Sequence, residues 1–419
     1  MSSPNNISKK AKQFKRNISP VREIMNYANP DYIRKLGINP EDLISFAGGW
    51  VNHKAPEKLR EAYESIVSDP KLFHLTGGYS PTLGETEFKK AVCKFENELY
   101  GMDISEKQIV VGLGSTQLVM ELFTVLLDPG DKILLLDPSY CNYPPQIMRD
   151  MPDVEILRFS VINEKKWEFV ADDRISEFTE YILDKKPKVV LLVSPDNPTS
   201  KVLSDEFVQA TLDSVKKIGG YLIIDFAYKE LVFNNEYPSY FSWSPNENFI
   251  SLRSNSKWCR GLGRRLGWVE VPEFLVKYME SIQTSSVLCP DTMHQMALTK
   301  FINDSIESNT LIDYIKKTAK LYKNAAEMTV EILKKKIGCK IITPDGGLYI
   351  FMKIGMDGGK FVEDVLKKTG VLFIPGWGFG RTGINAIRLS FGPLVEDIDK
   401  IEGGIEKVAI YLKSESDCK

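Results

Sequence analysis

The chain has 419 residues, 43% hydrophobic and 26% charged, with 54 lysines and arginines against 56 aspartates and glutamates, for a formal net charge of -2. That balance is ordinary for a globular protein and leaves no electrostatic footprint for nucleic acid. At roughly 100 to 200 residues per domain the length asks for two or more units, and the chain carries neither an apolar run of the ~18 residues that span a membrane nor an apolar signal segment, so a cytoplasmic protein is expected.

Residues 1–18 are polar and basic, and the first ten or so read as a disordered lead. Pro20 then opens a short helix over VREIMNYA, in which Arg22 is either a solvated charge or an arm toward a site. ISFAGGWVN (44–52) reads as a strand ending at Gly48 and Gly49, where the backbone can pass close to a bound group. LREAYESIVSD reads as a helix, and the hydroxyl-rich loop HLTGGYSPTLG leads into an amphipathic one. From 109 short apolar runs alternate with helical ones: IVVG, KILLLD (132–137), VEILRF (154–159), VVLLVS (189–194), YLIIDF (221–226) and FISL (249–252), with a helix over 205–218. Continuous apolar runs of this length suit strands covered on both faces, so the order is α/β. One long helical region follows, from about 290 to 337, and a smaller α/β pattern closes the chain. The expected division is a lead over 1–18, an arm and part of a small domain over 19–54, a large domain over 55–300, and the rest of the small domain with its connecting helix over 301–419.

Six cysteines form no CxxC pair, and His53, His74 and His294 lie far apart, so neither a disulfide framework, a metal site nor a histidine triad is expected. The polar groups that stand out lie at strand ends, where open parallel sheets bind ligands. Gly112 and Gly114 turn a strand into a helix that starts with Ser115 and Thr116, a natural phosphate seat, although the glycines match neither a dinucleotide fingerprint nor a Walker loop. Tyr140 in DPSY could cover a planar ring or simply pack. Asn197 in SPDNPTS could donate to a phenolate or only shape a turn. Asp225 is a costly buried carboxylate unless it has a partner such as a protonated ring nitrogen, with Tyr228 three residues on. In SNSKWCRGLGRRLGW, Lys257 stands among Ser254, Ser256, Arg264 and Arg265. The two arginines would lower its ammonium pKa and could hold a phosphate; a basic surface loop has the same composition. Arg388 in AIRLSFG suits a substrate carboxylate or a structural ion pair.

The order GST, DPSY, SPDNPTS, DFAY, SNSK through RRLGW, and IRLSF resembles the pyridoxal-phosphate enzymes of the aspartate aminotransferase fold, fold type I, from about residue 19 to the end. The resemblance implies a large domain with a mostly parallel sheet flanked by helices, a smaller α/β domain, and transfer of an amino group from an L-amino acid to a 2-oxo acid in two half-reactions. A lyase or decarboxylase of the same fold, or a non-catalytic homologue, are the alternatives. Lys257 resembles the lysine that carries pyridoxal phosphate and later moves the Cα proton, and Asp225 the partner of the ring nitrogen. Tyr140 looks like the stacked aromatic, and Asn197 and Tyr228 like the groups bonding the ring oxygen. Ser115, Thr116, Ser254 and Arg265 resemble the phosphate cup. Tyr79 in GYSPTLG looks like the tyrosine that reaches the neighbouring subunit's phosphate, which implies a homodimer with shared sites. Gly49, Asn197 and Arg388 match substrate-side positions. The start of the chain is similar to the aminoadipate and kynurenine branch, where Arg22 matches an arginine that can meet an acidic side chain. The chain departs from the family at Ser200, where glycine is usual; at Arg264, which competes with Arg265 on spacing; and at Trp50, Asn52 and His53, which would reshape the substrate side.

Overall fold

The computed structural model describes residues 7–16 and 20–417. The expected disordered lead falls partly on residues 1–6, outside the described residues, as do residues 17–19 and Cys418; Lys9–Arg16, by contrast, is helical. The strands of the large sheet are β1 (Ile109–Gly112), β2 (Lys132–Asp137), β3 (Glu155–Ser160), β4 (Val189–Val193), β5 (Tyr221–Asp225), β6 (Phe249–Ser254) and β7 (Gly267–Glu270), in the spatial order β1-β7-β6-β5-β4-β2-β3. The first six run in one direction, and β7 is antiparallel to both its neighbours, β1 and β6.

Side chains alternate across a strand, and here both faces are apolar. Ile133, Leu135, Leu191, Ile223 and Ile250 point into one core with the helix Ser115–Leu126. Leu134, Leu136, Val190, Leu192, Leu222 and Ile224 point into the other, which includes Phe207 and Leu212 of the helix Asp205–Ile218. Continuous apolar runs were therefore the right signal for β1, β2 and β4 to β6, whereas β3, EILRFS at the sheet edge, alternates in burial. β7 escaped the sequence reading because its four residues, GWVE, follow a glycine- and arginine-rich loop with no periodic pattern around them.

A second sheet holds β8 (Lys340–Ile342), β9 (Tyr349–Lys353), β10 (Ile374–Pro375) and β11 (Ala386–Ser390) in the order β8-β9-β11-β10, all antiparallel. The expected strand over ISFAGGWVN (44–52) is only the two residues Ile44–Ser45, paired in parallel with Val371–Leu372. Beyond them Phe46 N–H donates to Leu372 O at 2.8 Å, and Ser390 N–H donates to Phe46 O at 2.8 Å. The segment ending in Gly48, Gly49 and Trp50 is thus laid along β11, where two glycines give the ladder little to continue with. The expected single helical region over 290–337 is two helices, Thr292–Glu307 and Leu311–Lys336, broken at residues 308–310. Among the described residues no helix is long and apolar enough to cross a membrane.

Candidate active site

Because β1 to β6 run the same way, their C-terminal ends share one edge, and a cavity of about 480 Å³ opens there. It gathers Gly49, Ser115, Thr116, Tyr140, Asn197, Asp225, Tyr228, Ser254, Lys257, Arg265, Arg388 and Arg22, twelve of the thirteen residues singled out from the sequence. Tyr79 stands apart, 85% exposed.

Lys257 follows β6 by three residues. Its side chain is half-buried as a whole, but the amine end lies at the enclosed floor of the cavity and donates to the Gly49 carbonyl. Burial is the main reason its pKa falls to about 7; the positive charge of Arg388 adds to this, Asp225 opposes it, and Arg265 contributes least. The expectation that the adjacent arginine pair depresses it holds only for Arg265, as the smallest contribution, and not for Arg264. Arg264, half-buried, turns away from the cavity, with its guanidinium 5.0 Å from the Tyr63 ring centre. Arg265 lines the cavity at its exposed rim and donates to Leu262 O at 2.6 Å and Leu113 O at 3.4 Å.

Asp225 ends β5, buried, with its pKa raised by that burial against the stabilising hydrogen bonds it accepts from Tyr143 Oη (2.8 Å) and Ala227 N–H (2.9 Å). Arg388 comes from β11, across the cavity. Its two terminal nitrogens donate to Asn197 Oδ1 and Ala47 O, each at 2.9 Å, and its Nε is buried without a partner. Both acceptors are neutral, so the guanidinium keeps its charge for something else. Among the described residues none of Lys257, Asp225 and Arg388 forms a salt bridge. Three uncompensated ionisable groups around one cavity are expensive in a finished core and are characteristic of a site that completes itself with a ligand.

Residues 42–401 match the family of class I and II aminotransferases, most of the chain. The chain belongs to that family. It is a pyridoxal-phosphate-dependent aminotransferase, similar to the aspartate aminotransferase of Thermotoga maritima, with 30% identity over 86% of this chain and 91% of the relative. The aromatic-amino-acid aminotransferase 2 of Thermococcus litoralis is 26% identical over 92% and 97% of the two chains. The solved structure of the Thermotoga maritima aspartate aminotransferase superposes with a TM-score of 0.82 at 26% identity, covering 97% of this chain and all of that one.

The residues of this aminotransferase fit the cofactor. At the start of the helix Ser115–Leu126, Gly114 has φ 89, and a side chain there would come within 2.7 Å of Arg265 Nη2, so the helix amides, three hydroxyls and a guanidinium converge on a seat that only glycine keeps open. Ser200 adopts φ 58, the conformation usually left to glycine. Its hydroxyl accepts from Tyr349 N–H at 3.1 Å, which ties the Asn197 turn to β9.

Two site residues escaped the sequence reading. Tyr143, which donates to Asp225, follows Tyr140 by three residues at the start of a helix, a spacing that could have revealed it. Tyr349 bonds Tyr228 through their hydroxyls at 2.7 Å and lies 4.2 Å from the Arg388 guanidinium; only the β9–β11 register brings it there.

Proposed function

We propose that this aminotransferase holds pyridoxal phosphate through Lys257, with the phosphate on Ser115, Thr116, Ser254 and Arg265, the ring nitrogen on Asp225, the ring oxygen between Asn197 and Tyr228, and Tyr140 against the ring face. The observation that carries the assignment is the joint presence around one cavity of an amine with a pKa near 7, a buried carboxylate, and a buried guanidinium bonded only to neutral acceptors with its Nε left without a partner. When bound, pyridoxal phosphate supplies a carbonyl carbon for amine exchange and a ring that spreads the electron pair left at Cα.

Each residue then has a defined task. Arg388 takes the substrate α-carboxylate on its free Nε edge, which orients the amino acid. Lys257, about half of it free amine at pH 7, would remove the Cα proton and deliver it from the same side to the carbon that had carried the lysine. Asp225, held by Tyr143, keeps a proton on the ring nitrogen. Gly49 leaves room beside Tyr349, whose hydroxyl would lie 2.6 Å from any side chain there. Arg22 adds a charge at the cavity mouth, in keeping with the likeness of the N-terminal segment to the aminoadipate and kynurenine branch. The exposed Tyr79 supports a homodimer in which it serves the neighbouring subunit's phosphate.

Titrating the protein with amino acids, without any oxo acid, tests this reading. The visible band of the lysine-bound cofactor should give way to that of its amine form, with release of one oxo acid per site. A band that returns unchanged while ammonia or carbon dioxide accumulates would overturn it. For the dimer, mixed Tyr79 and Lys257 variants should regain activity on subunit exchange, and no recovery after proven exchange refutes shared sites.

A further inference from the structure

The cavity wall facing Lys257 is built by Gly48, Gly49 and Trp50. Gly49 presents its carbonyl to the lysine amine. Gly48 has no side chain, and the six-membered ring of Trp50 occupies the vacated space: an ideal Cβ on Gly48 would lie 1.7 Å from Trp50 Cζ3 and 2.1 Å from Cε3. The indole is therefore folded back over the Gly48 backbone. Its anchor is tight, since the Trp50 carbonyl packs within 2.7 Å of where a Gly392 side chain would begin. The ring nevertheless remains 39% exposed, and it shares the cavity with Val21, Met25 and Leu262. This half-open apolar wall lines the same cavity as the reacting lysine and follows Gly49, whose carbonyl the lysine meets. The single charge on it, Arg22, is exposed at the rim, where an ion pair contributes little because water competes for both partners. Burying the face of an indole against a planar side chain contributes more.

We propose that Trp50, seated on Gly48, selects the donor class, and that its indole face is the wall against which an aromatic side chain of the amino-acid donor packs. The inference rests on the transamination reading above and names its substrate class. Two positions cooperate: Trp50 supplies the surface, and Gly48 supplies the room that aims it into the cavity.

The test is equilibrium binding, by calorimetry on the cofactor-loaded protein, of two carboxylic acids that lack an amino group and so cannot react, 3-phenylpropanoate and succinate. Wild type should prefer 3-phenylpropanoate. Trp50→Ala should weaken it about tenfold, from the loss of roughly 50 Å² of apolar contact, and leave succinate within about twofold. Trp50→Phe should restore most of the loss. Gly48→Ala should reproduce it with the ring still present, because the new methyl displaces the indole. Equal loss for both acids, no loss in Trp50→Ala, or a wild-type preference for succinate overturns the inference, the last in favour of an acidic donor held by Arg22. Such a failure leaves the transamination reading standing if amino acids still convert the cofactor band, and takes it down only if none does.

Discussion

Two groups of charged side chains flank the ends of β5 and β6, and they are built in opposite ways. Behind the strands lie Glu96, Lys229, Glu230, Arg253 and Glu270, none more than 1% exposed. Each cation there has a carboxylate at hand: Lys229 Nζ reaches Glu96 at 3.0 Å, and Arg253 Nη2 reaches Glu96 at 2.6 Å and Glu230 at 2.7 Å. Arg253 Nη1 also donates to Phe226 O at 3.3 Å, one residue beyond Asp225, and Trp268 Nε1 donates to Glu270 at 3.0 Å. Burial pushes the pKa of Glu230 and Glu270 upward, while Glu96, facing both cations, is lowered. In front of the strands, Lys257, Asp225 and Arg388 are held by neutral groups and leave their charges unmatched. The closed cluster pairs its cations internally, and the open one leaves its charges unmatched at the cavity. A strand end can thus carry structural ionic contacts on one side and reactive ones on the other, provided that water and ligand reach only one of them.

The comparison predicts a double dissociation. Lys257→Ala should cut turnover by about 10⁴-fold or more and abolish the visible band of the lysine-bound cofactor, while changing the unfolding free energy of the cofactor-free protein by no more than about 1 kcal/mol. Retained turnover and band would break the open half of the comparison. Arg253→Met should do the reverse to the fold: with Glu96 and Glu230 left short of a partner, stability measured by chemical denaturation should drop by about 3–5 kcal/mol. A midpoint unmoved by Arg253→Met would mean that the closed cluster is not closed.

The pH dependence sharpens the difference. Lys257 has a folded pKa near 7 against 10.5 in a free side chain, so below about 7 it is an ammonium that can neither capture cofactor nor take a proton. The rate at which cofactor-free protein captures added pyridoxal phosphate should therefore fall about tenfold per pH unit below 7 and level off above it. A rate still climbing toward pH 10 would show a lysine with an ordinary pKa. The smallest expected effect is at the seam between the two sheets: Tyr349→Phe removes one hydroxyl bonded to Tyr228, and should lower kcat/KM about fivefold, near 1 kcal/mol. A change of a hundredfold would give that hydroxyl a direct part in the chemistry.

What could be read from the sequence follows from how local each signal is. β1 to β6 are apolar runs bounded by turn residues, and Ser115, Tyr140, Asn197, Asp225 and Lys257 stand within a few residues of their strand ends, so pattern and motif order were enough to find them. The same locality misled the account of Lys257, since Arg264 is near it in sequence but turned toward Tyr63 in space.

The sequence by itself determined the α/β order, the family and most of the residues that meet in the cavity, because those depend on short-range periodicity and on side chains fixed at strand ends. Only the tertiary structure decided which charges are matched, which arginine lines the cavity, and what covers Lys257. Those properties depend on burial and on register between segments far apart in the chain: Gly49 is 208 residues from Lys257, and Arg388 is 191 from Asn197. Desolvation, which does most to lower the lysine pKa, belongs to the enclosed space rather than to any neighbour in the sequence.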